Sequence, residues 1–148
     1  MLAVHAGTTD DLDARFDRAF IALHGPGGED GTVQGALECL GVAYTGSGVL
    51  GSAVGMDKLR TKRLAAAVGI GTTDCVVLRG PLDFETAVSQ LGLPMIVKPA
   101  TQGSSVGMSK VERAADLPAA WAAAAATDDT VFAEAWVTGG EYTVAILK

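Results

Sequence analysis

The chain has 148 residues, 49% of them hydrophobic and 19% charged, enough for one ordinary domain with a sizeable core and too apolar for a disordered chain. Its formal net charge of −6 excludes broad electrostatic attraction to nucleic acid. No apolar run reaches the length of a membrane span, and Met1–Ala6 has no basic stretch ahead of an apolar one, so no membrane segment or secretory leader is expected and a cytoplasmic location follows by default.

Residues 10–18 alternate acidic and basic side chains, which predicts a short solvated helix ahead of a strand at Phe20-Ile21-Ala22-Leu23. That strand runs into His24-Gly25-Pro26-Gly27-Gly28-Glu29-Asp30-Gly31, where four glycines within seven residues let the backbone turn tightly and approach a ligand. Glu29 and Asp30 stand where the next helix begins, at the positive end of its dipole. Val33, Ala36, Leu37 and Leu40 form one apolar helix stripe, and Gly41 ends the helix. A strand at Val42–Tyr44 leads into the turn Gly46-Ser47-Gly48-Val49-Leu50-Gly51.

Asp57 is a good N-cap for a helix through Val68, and Gly69–Asp74 reads as an internal boundary, after one near Gly46. Val76–Leu78 reads as a strand. Asp83 caps a helix with Phe84, Ala87, Val88 and Leu91 on one face, stopped by Gly92. Pro94–Lys98 is a strand with Val106–Val111 as its hairpin partner. Asp116 caps an alanine-rich helix carrying Leu117 and Trp121, with Pro118 tolerable in its first turn. Val131–Ala133 and Tyr142–Leu147 read as strands. The alternation is α/β in the first part and α+β in the second. Cys39 and Cys75 are not a C-x-x-C pair and read as reduced core thiols; together with two scattered histidines they give no zinc spacing.

The chemistry-bearing segments are few. Gly46–Gly51 matches G-x-G-x-x-G, but a dinucleotide fingerprint needs an acidic residue about 20 positions on. Residues 66–71 hold none. Lys98-Pro99-Ala100-Thr101-Gln102-Gly103-Ser104-Ser105-Val106-Gly107 is stronger: a lysine ends a buried strand, and a glycine-serine loop follows whose amides and hydroxyls can wrap phosphate oxygens. It is not the G-x-x-x-x-G-K-S/T loop, and a plain hairpin turn is the competing reading. Lys58, beside Asp57 at a helix start, reads equally as a surface lysine. Glu134 and Glu141 flank Ala135-Trp136-Val137-Thr138-Gly139-Gly140. They read as strand-edge charges or as carboxylates suited to accept from ribose hydroxyls. Lys110 is the remaining lysine at an informative place.

His-Gly, Gly-Glu-Asp-Gly and Gln-Gly across residues 24–35, with Tyr44-Thr45-Gly46-Ser47-Gly48, Met56-Asp57-Lys58-Leu59 and Gly103-Ser104-Ser105-Val106-Gly107, resemble the D-alanine–D-alanine ligases of the ATP-grasp fold. The resemblance covers nearly all of residues 20–148. It implies a Rossmann-like pre-ATP-grasp half-domain of α/β type over residues 1–46. An α+β ATP-grasp central subdomain follows over residues 47–148, with the C-terminal part starting near Gly139 and the second ATP-grasp subdomain missing. The implied activity is ATP-dependent joining of two D-alanines through an acyl phosphate, for peptidoglycan synthesis. Runner-up readings are a nucleotide-binding module without catalysis and a ligase taking D-lactate or D-serine second.

Residue by residue, the resemblance makes Lys58 and Lys98 phosphate ligands, and makes Gly103, Ser104, Ser105 and Val106 the loop that covers them. Glu134, Ala135, Trp136 and Val137 fall to the adenine and Glu141 to the ribose. Ala135 stands where a lysine is frequent. His24 lines the substrate pocket and, with Ser104, takes a catalytic part. The Gly46–Gly51 stretch becomes a turn between domains. Magnesium or manganese is implied, with ligands expected beyond Lys148 and no metal ligand in this chain, together with a homodimer. With the metal-binding half and the opening glycine-rich loop missing, this chain is expected to be an incomplete, inactive fragment of such a ligase.

Overall fold

The computed structural model describes residues 17–145; Met1–Ala6, most of the helix expected at 10–18, and Ile146–Leu147 of the last expected strand lie outside the described residues. Arg18, placed by sequence in that helix, instead opens strand β1 (Arg18–Ala19), which pairs in parallel with β2 (Ala43–Tyr44). The strand expected at Phe20–Leu23 does not form. Beyond Ala19 the ladder closes on a side chain: Thr45 donates its amide to the Ala19 carbonyl, and its hydroxyl takes the Ile21 amide at 3.1 Å. Gly46, at φ 103°, then carries the chain away.

Helix α1 (Thr32–Cys39) joins the two strands. At its entry Asp30 meets the first helical amide, as expected, while Glu29 instead closes the preceding turn. Glu29 accepts from the Gly25 amide at 2.6 Å, and Asp30 accepts from the Gly27 and Thr32 amides at 2.7 and 3.0 Å. Gly31 is required at the N-cap: its φ is 94°, and a Cβ there would sit 2.8 Å from the Val49 carbonyl oxygen. The helix ends at Gly41 in the left-handed region, as expected. The expected apolar stripe is not a buried one: Leu40 is 74% exposed, Ala36 is exposed, and the residue buried in α1 is Gln34. The inward face is set by a polar contact, Gln34 Nε2 donating to the Gly28 carbonyl at 2.9 Å.

Residues 49–51, read by sequence as the end of a glycine turn, instead open helix α2 (Val49–Met56). The turn stops at Gly48, whose carbonyl takes the Ser52 amide in the first helical bond. Asp57 adopts extended backbone between α2 and α3 (Lys58–Ala67) and accepts the Arg60 amide at 2.8 Å, the expected cap.

Residues 75–135 build a four-stranded antiparallel sheet. Its strands are β3 (Cys75–Val77), β4 (Met95–Pro99), β5 (Ser109–Val111) and β6 (Val131–Ala135), in the spatial order β3-β6-β4-β5. Helices α4 (Phe84–Leu91) and α5 (Leu117–Ala125) cover one face. Period-two alternation sorts the strands: Met95, Val97, Val111, Val131 and Ala133 join Ala87, Leu117, Ala120 and Ala124 in the main core. Both covering helices start where expected, at Phe84 and Leu117, each after a 3₁₀ turn. Neither expected aspartate caps its helix by side chain. Asp83 accepts backwards from the Arg79 and Gly80 amides, and Asp116 pairs with the Arg113 guanidinium. Gly69–Asp74 is the irregular link into the sheet.

Two further expectations are corrected. Tyr142–Ala145 is irregular: β6 ends at Ala135, the Trp136 amide turns to the Pro94 carbonyl at 3.1 Å, and Tyr142 beyond it is 93% exposed. Cys39 is exposed on α1 and is not a core thiol, whereas Cys75 is half-buried on β3; both are free.

Candidate functional site

The alternation that fills the core sends Lys98, Phe132, Glu134 and Cys75 to the opposite face of the sheet. Lys98 is registered against Phe132 and Glu134 against Ile96, which places Lys98 and Glu134 as diagonal neighbours. They form an ion pair through Glu134 Oε1. Glu134 Oε2 takes the Lys62 ammonium at 2.7 Å and the Thr73 hydroxyl at 2.9 Å. The Lys98 ammonium stands 5.5 Å from the centre of the Phe132 ring. Burial pushes the Glu134 carboxyl up, but the hydrogen bonds from Lys62 and Lys98, the charge of Lys98 and the Thr73 hydroxyl outweigh it. They hold Glu134 below the ordinary carboxylate value.

Helix α3 docks on this face through Leu59, which packs with Phe132 and Ala100. The docking is fixed by backbone, the Lys58 amide donating to the Ala100 carbonyl at 2.9 Å. The Lys58 ammonium reaches the carbonyls of Ala100 and Gln102, at the root of the glycine-serine loop. Burial, and then the charge of Lys98, hold Lys58 below the ordinary lysine value, against the opposing pull of Asp128 and Asp57. Two cations from different elements thus share one partly dry face. An anion placed between them would relieve that repulsion.

The loop after Lys98 is pinned at its root and open at its tip. Asp128 Oδ2 accepts from the Thr101 amide and hydroxyl at 2.6 and 2.7 Å, and Gln102 Nε2 donates to the Thr127 carbonyl at 2.8 Å. Burial raises the Asp128 carboxyl, but the Thr101 hydroxyl, the Thr130 and Thr101 amides and the Lys58 charge bring it below its ordinary value. Ser104 and Ser105 are exposed and both lie in the left-handed region, at φ 49° and 60°. Gly107 closes the loop at φ 70°, with no room for a Cβ against the Thr127 hydroxyl 2.7 Å away.

An open cavity of about 700 Å³ lies between this loop and the glycine-rich turn, walled by His24, Gly28, Thr45, Lys58, Gly103 and Ser104. The structure therefore brings together His24, Lys58, Gly103 and Ser104 on the cavity wall; Lys98 is not one of its lining residues, but its charge acts on Lys58. Ser105 and Val106 stand exposed on the same loop. Ala135 ends β6 opposite Met95, and Trp136 follows with the Lys110 ammonium 4.9 Å from its ring centre; Val137 is exposed. Glu141 lies in the exposed irregular stretch beyond, so the two glutamates do not form one cluster. Sequence reasoning missed Lys62, Thr73 and Asp128 as site-shaping groups. For Lys62 the signal was available: it follows Lys58 by one helical turn, on the same face. Among the described residues no group of three or more His, Cys, Asp or Glu converges. Asp128 is already engaged by Thr101 and Thr130. The described residues do not make a magnesium site by themselves.

Comparison with known proteins shows the family. The family described as D-ala D-ala ligase C-terminus matches residues 64–148, and D-ala D-ala ligase N-terminus matches residues 3–47. The D-alanine--D-alanine ligase of Alkalilimnicola ehrlichii is 59% identical over 132 residues, covering 89% of this chain and 42% of that protein. That of Pseudomonas putida strain GB-1 is 52% identical over 153 residues, covering 100% of this chain and 48% of its own. The solved D-alanine-D-alanine ligase of Coxiella burnetii superposes with a TM-score of 0.81 at 31% identity, over 88% of this chain and 40% of that one. The Helicobacter pylori enzyme gives 0.72 at 31% identity, over 82% and 37%. The chain thus spans less than half the length of the relatives it matches. Since the first family match alone runs over more than half of the residues, the chain belongs to the D-alanine–D-alanine ligase family.

Proposed function

We propose that this chain forms the nucleotide-binding part of an ATP-dependent D-alanine–D-alanine ligase, with residues 1–46 as its N-terminal domain and 47–148 as its ATP-grasp central subdomain. The observation that carries the reading is the pair Lys58 and Lys98. They come from a helix and a strand, the first is depressed by burial and by the charge of the second, and both adjoin the glycine-serine loop. Phosphoryl transfer depends mainly on positioning and on neutralising spread-out charge, which two converging lysines supply.

In this reading the lysines hold ATP phosphates, and Gly103, Ser104, Ser105 and Val106 close over them and exclude water. Glu134, Ala135, Trp136 and Val137 serve the adenine and Glu141 the ribose. The terminal phosphoryl group passes to the carboxylate of one D-alanine, giving an acyl phosphate and ADP. The amine of a second D-alanine attacks the acyl carbon and inorganic phosphate leaves. His24, on the cavity wall, lines the substrate pocket and takes up a proton. The product feeds peptidoglycan synthesis in the cytoplasm, and the ligase works as a homodimer. The test is D-alanine-dependent phosphate release from this purified chain with ATP and Mg²⁺, beside its Lys98→Ala variant. Release well above the variant supports ligation. A second reading, nucleotide binding without ligation, rests on the lysine pair and the serine loop alone; retained ATP binding without release supports it. Neither binding nor release overturns both.

A further inference from the structure

We infer that Lys62 is a positioning residue of this nucleotide site: it holds the Glu134 carboxylate, which in turn fixes the Lys98 ammonium, so that the cluster presents one net positive charge to a polyphosphate. The inference rests on the nucleotide reading above. Its warrant is a count of donors and charges. The Lys62 ammonium has three N–H donors, and the structure provides three acceptors: Glu134 Oε2, Thr72 Oγ1 and Thr73 Oγ1, each at 2.7 Å. Lys62 is therefore spent on the protein and does not itself reach a ligand. Among the described residues the hydrogen-bond partner of Lys98 is Glu134, which leaves it N–H donors for an anion.

Charge balance gives Lys62 its consequence. Lys98 with Glu134 alone would be a neutral pair, and an incoming phosphate would have to compete with the carboxylate for the lysine. Adding Lys62 shares the carboxylate between two cations and leaves a charge of plus one. The three side chains are 14%, 15% and 13% exposed for Lys62, Lys98 and Glu134, so water screens this balance weakly. The depressed Glu134 carboxyl is in accord with that arrangement. Thr73 completes the brace by donating to the same oxygen as Lys62.

The test compares Lys62→Met, Lys62→Arg and Arg63→Met in the full chain. Arg63 is exposed on the same helix, and its loss removes equal charge away from Glu134. The readouts are calorimetric affinity for AMP-PNP with Mg²⁺, and the titration midpoint of Glu134 by carbon-13 NMR. Lys62→Met is expected to weaken nucleotide binding about tenfold and raise the Glu134 midpoint, the loss of one charge-assisted contact. Lys62→Arg recovers both, and Arg63→Met changes affinity less than about twofold. If Lys62→Met does not fold, Thr73→Val is read instead, with an expected loss of about threefold from one weaker contact. Wild-type affinity in whichever of the two is read, or a loss equal to that of Arg63→Met, overturns the inference alone. Absence of binding to the unaltered chain overturns the nucleotide reading and this inference with it.

Discussion

Residues 18–56 and residues 58–135 hold their shape by different means. In the second region burial does the holding: Met95, Val97, Val111, Leu117, Phe132 and Ala133 are fully enclosed between sheet and helices. In the first, among the described residues, the buried apolar side chain is Ala19, while Phe20, Leu40 and Leu50 are 62%, 74% and 77% exposed. There the chain is held by polar contacts. Carboxylates bind turn amides, Gln34 binds the Gly28 carbonyl, and the Tyr44 hydroxyl donates to Glu38 at 2.6 Å. The contrast matters for the site because the cavity lies across both regions. Its cations rest on a packed scaffold, whereas His24 rests on a hydrogen-bonded turn.

Four measurements probe that contrast, from the largest expected effect to the smallest. Truncating Phe132 to Ala, beneath Leu59 and Lys98, should destabilise the fold by about 3–5 kcal/mol in urea unfolding. A loss below about 1 kcal/mol would mean that the sheet face is not the anchor described. Next, Gly107→Ala places a side chain at φ 70° against the Thr127 hydroxyl and should cost about 1–2 kcal/mol, read as a lower midpoint. Asp57→Ala removes the cap between α2 and α3 and should cost about 1 kcal/mol, also visible as faster amide exchange at Arg60. Leu40→Ala, by contrast, should lie within about 0.5 kcal/mol of the parent, and a loss as large as that of Phe132→Ala would erase the distinction between the regions.

Acid gives a separate handle on the second region. Glu134 titrates below its ordinary value of 4.5, so the stability it contributes is present above that pH and is lost as pH falls through the depressed folded value. Glu134→Gln should flatten that part of the stability–pH curve. An unchanged acid limb in the variant would show that the Lys62–Glu134–Lys98 set is not a stabilising one.

The same contrast explains what was readable in the sequence. The apolar pattern located β3, β4 and β6 within a residue or two, because burial decides their side-chain pattern. By contrast, β5 starts at Ser109, three residues after the expected Val106, which the turn of the serine loop takes up. The sequence pattern also put Lys98 at the end of its strand and Asp57 at its cap. Where polar contacts decide, the reading slipped. The Phe20–Leu23 run has strand composition but no partner backbone beyond Ala19, and α1 turns Gln34 inward rather than its aliphatic stripe. The glycines at 51 and 55 hid α2, which is entered from Gly48 by an ordinary helical hydrogen bond. Within the site, the lysines and the serine loop were visible as types at telling spacings. The Lys62–Glu134–Thr73 brace was not, since it joins residues 61 positions apart.

The most direct test of the site is calorimetric titration of this chain with AMP-PNP and Mg²⁺, in parallel with Lys98→Ala. Saturable one-site binding that the substitution abolishes, with the fold intact by circular dichroism, is the predicted result. Equal binding by both proteins, or binding by neither, would contradict the assignment of the Lys58–Lys98 face as a polyphosphate site.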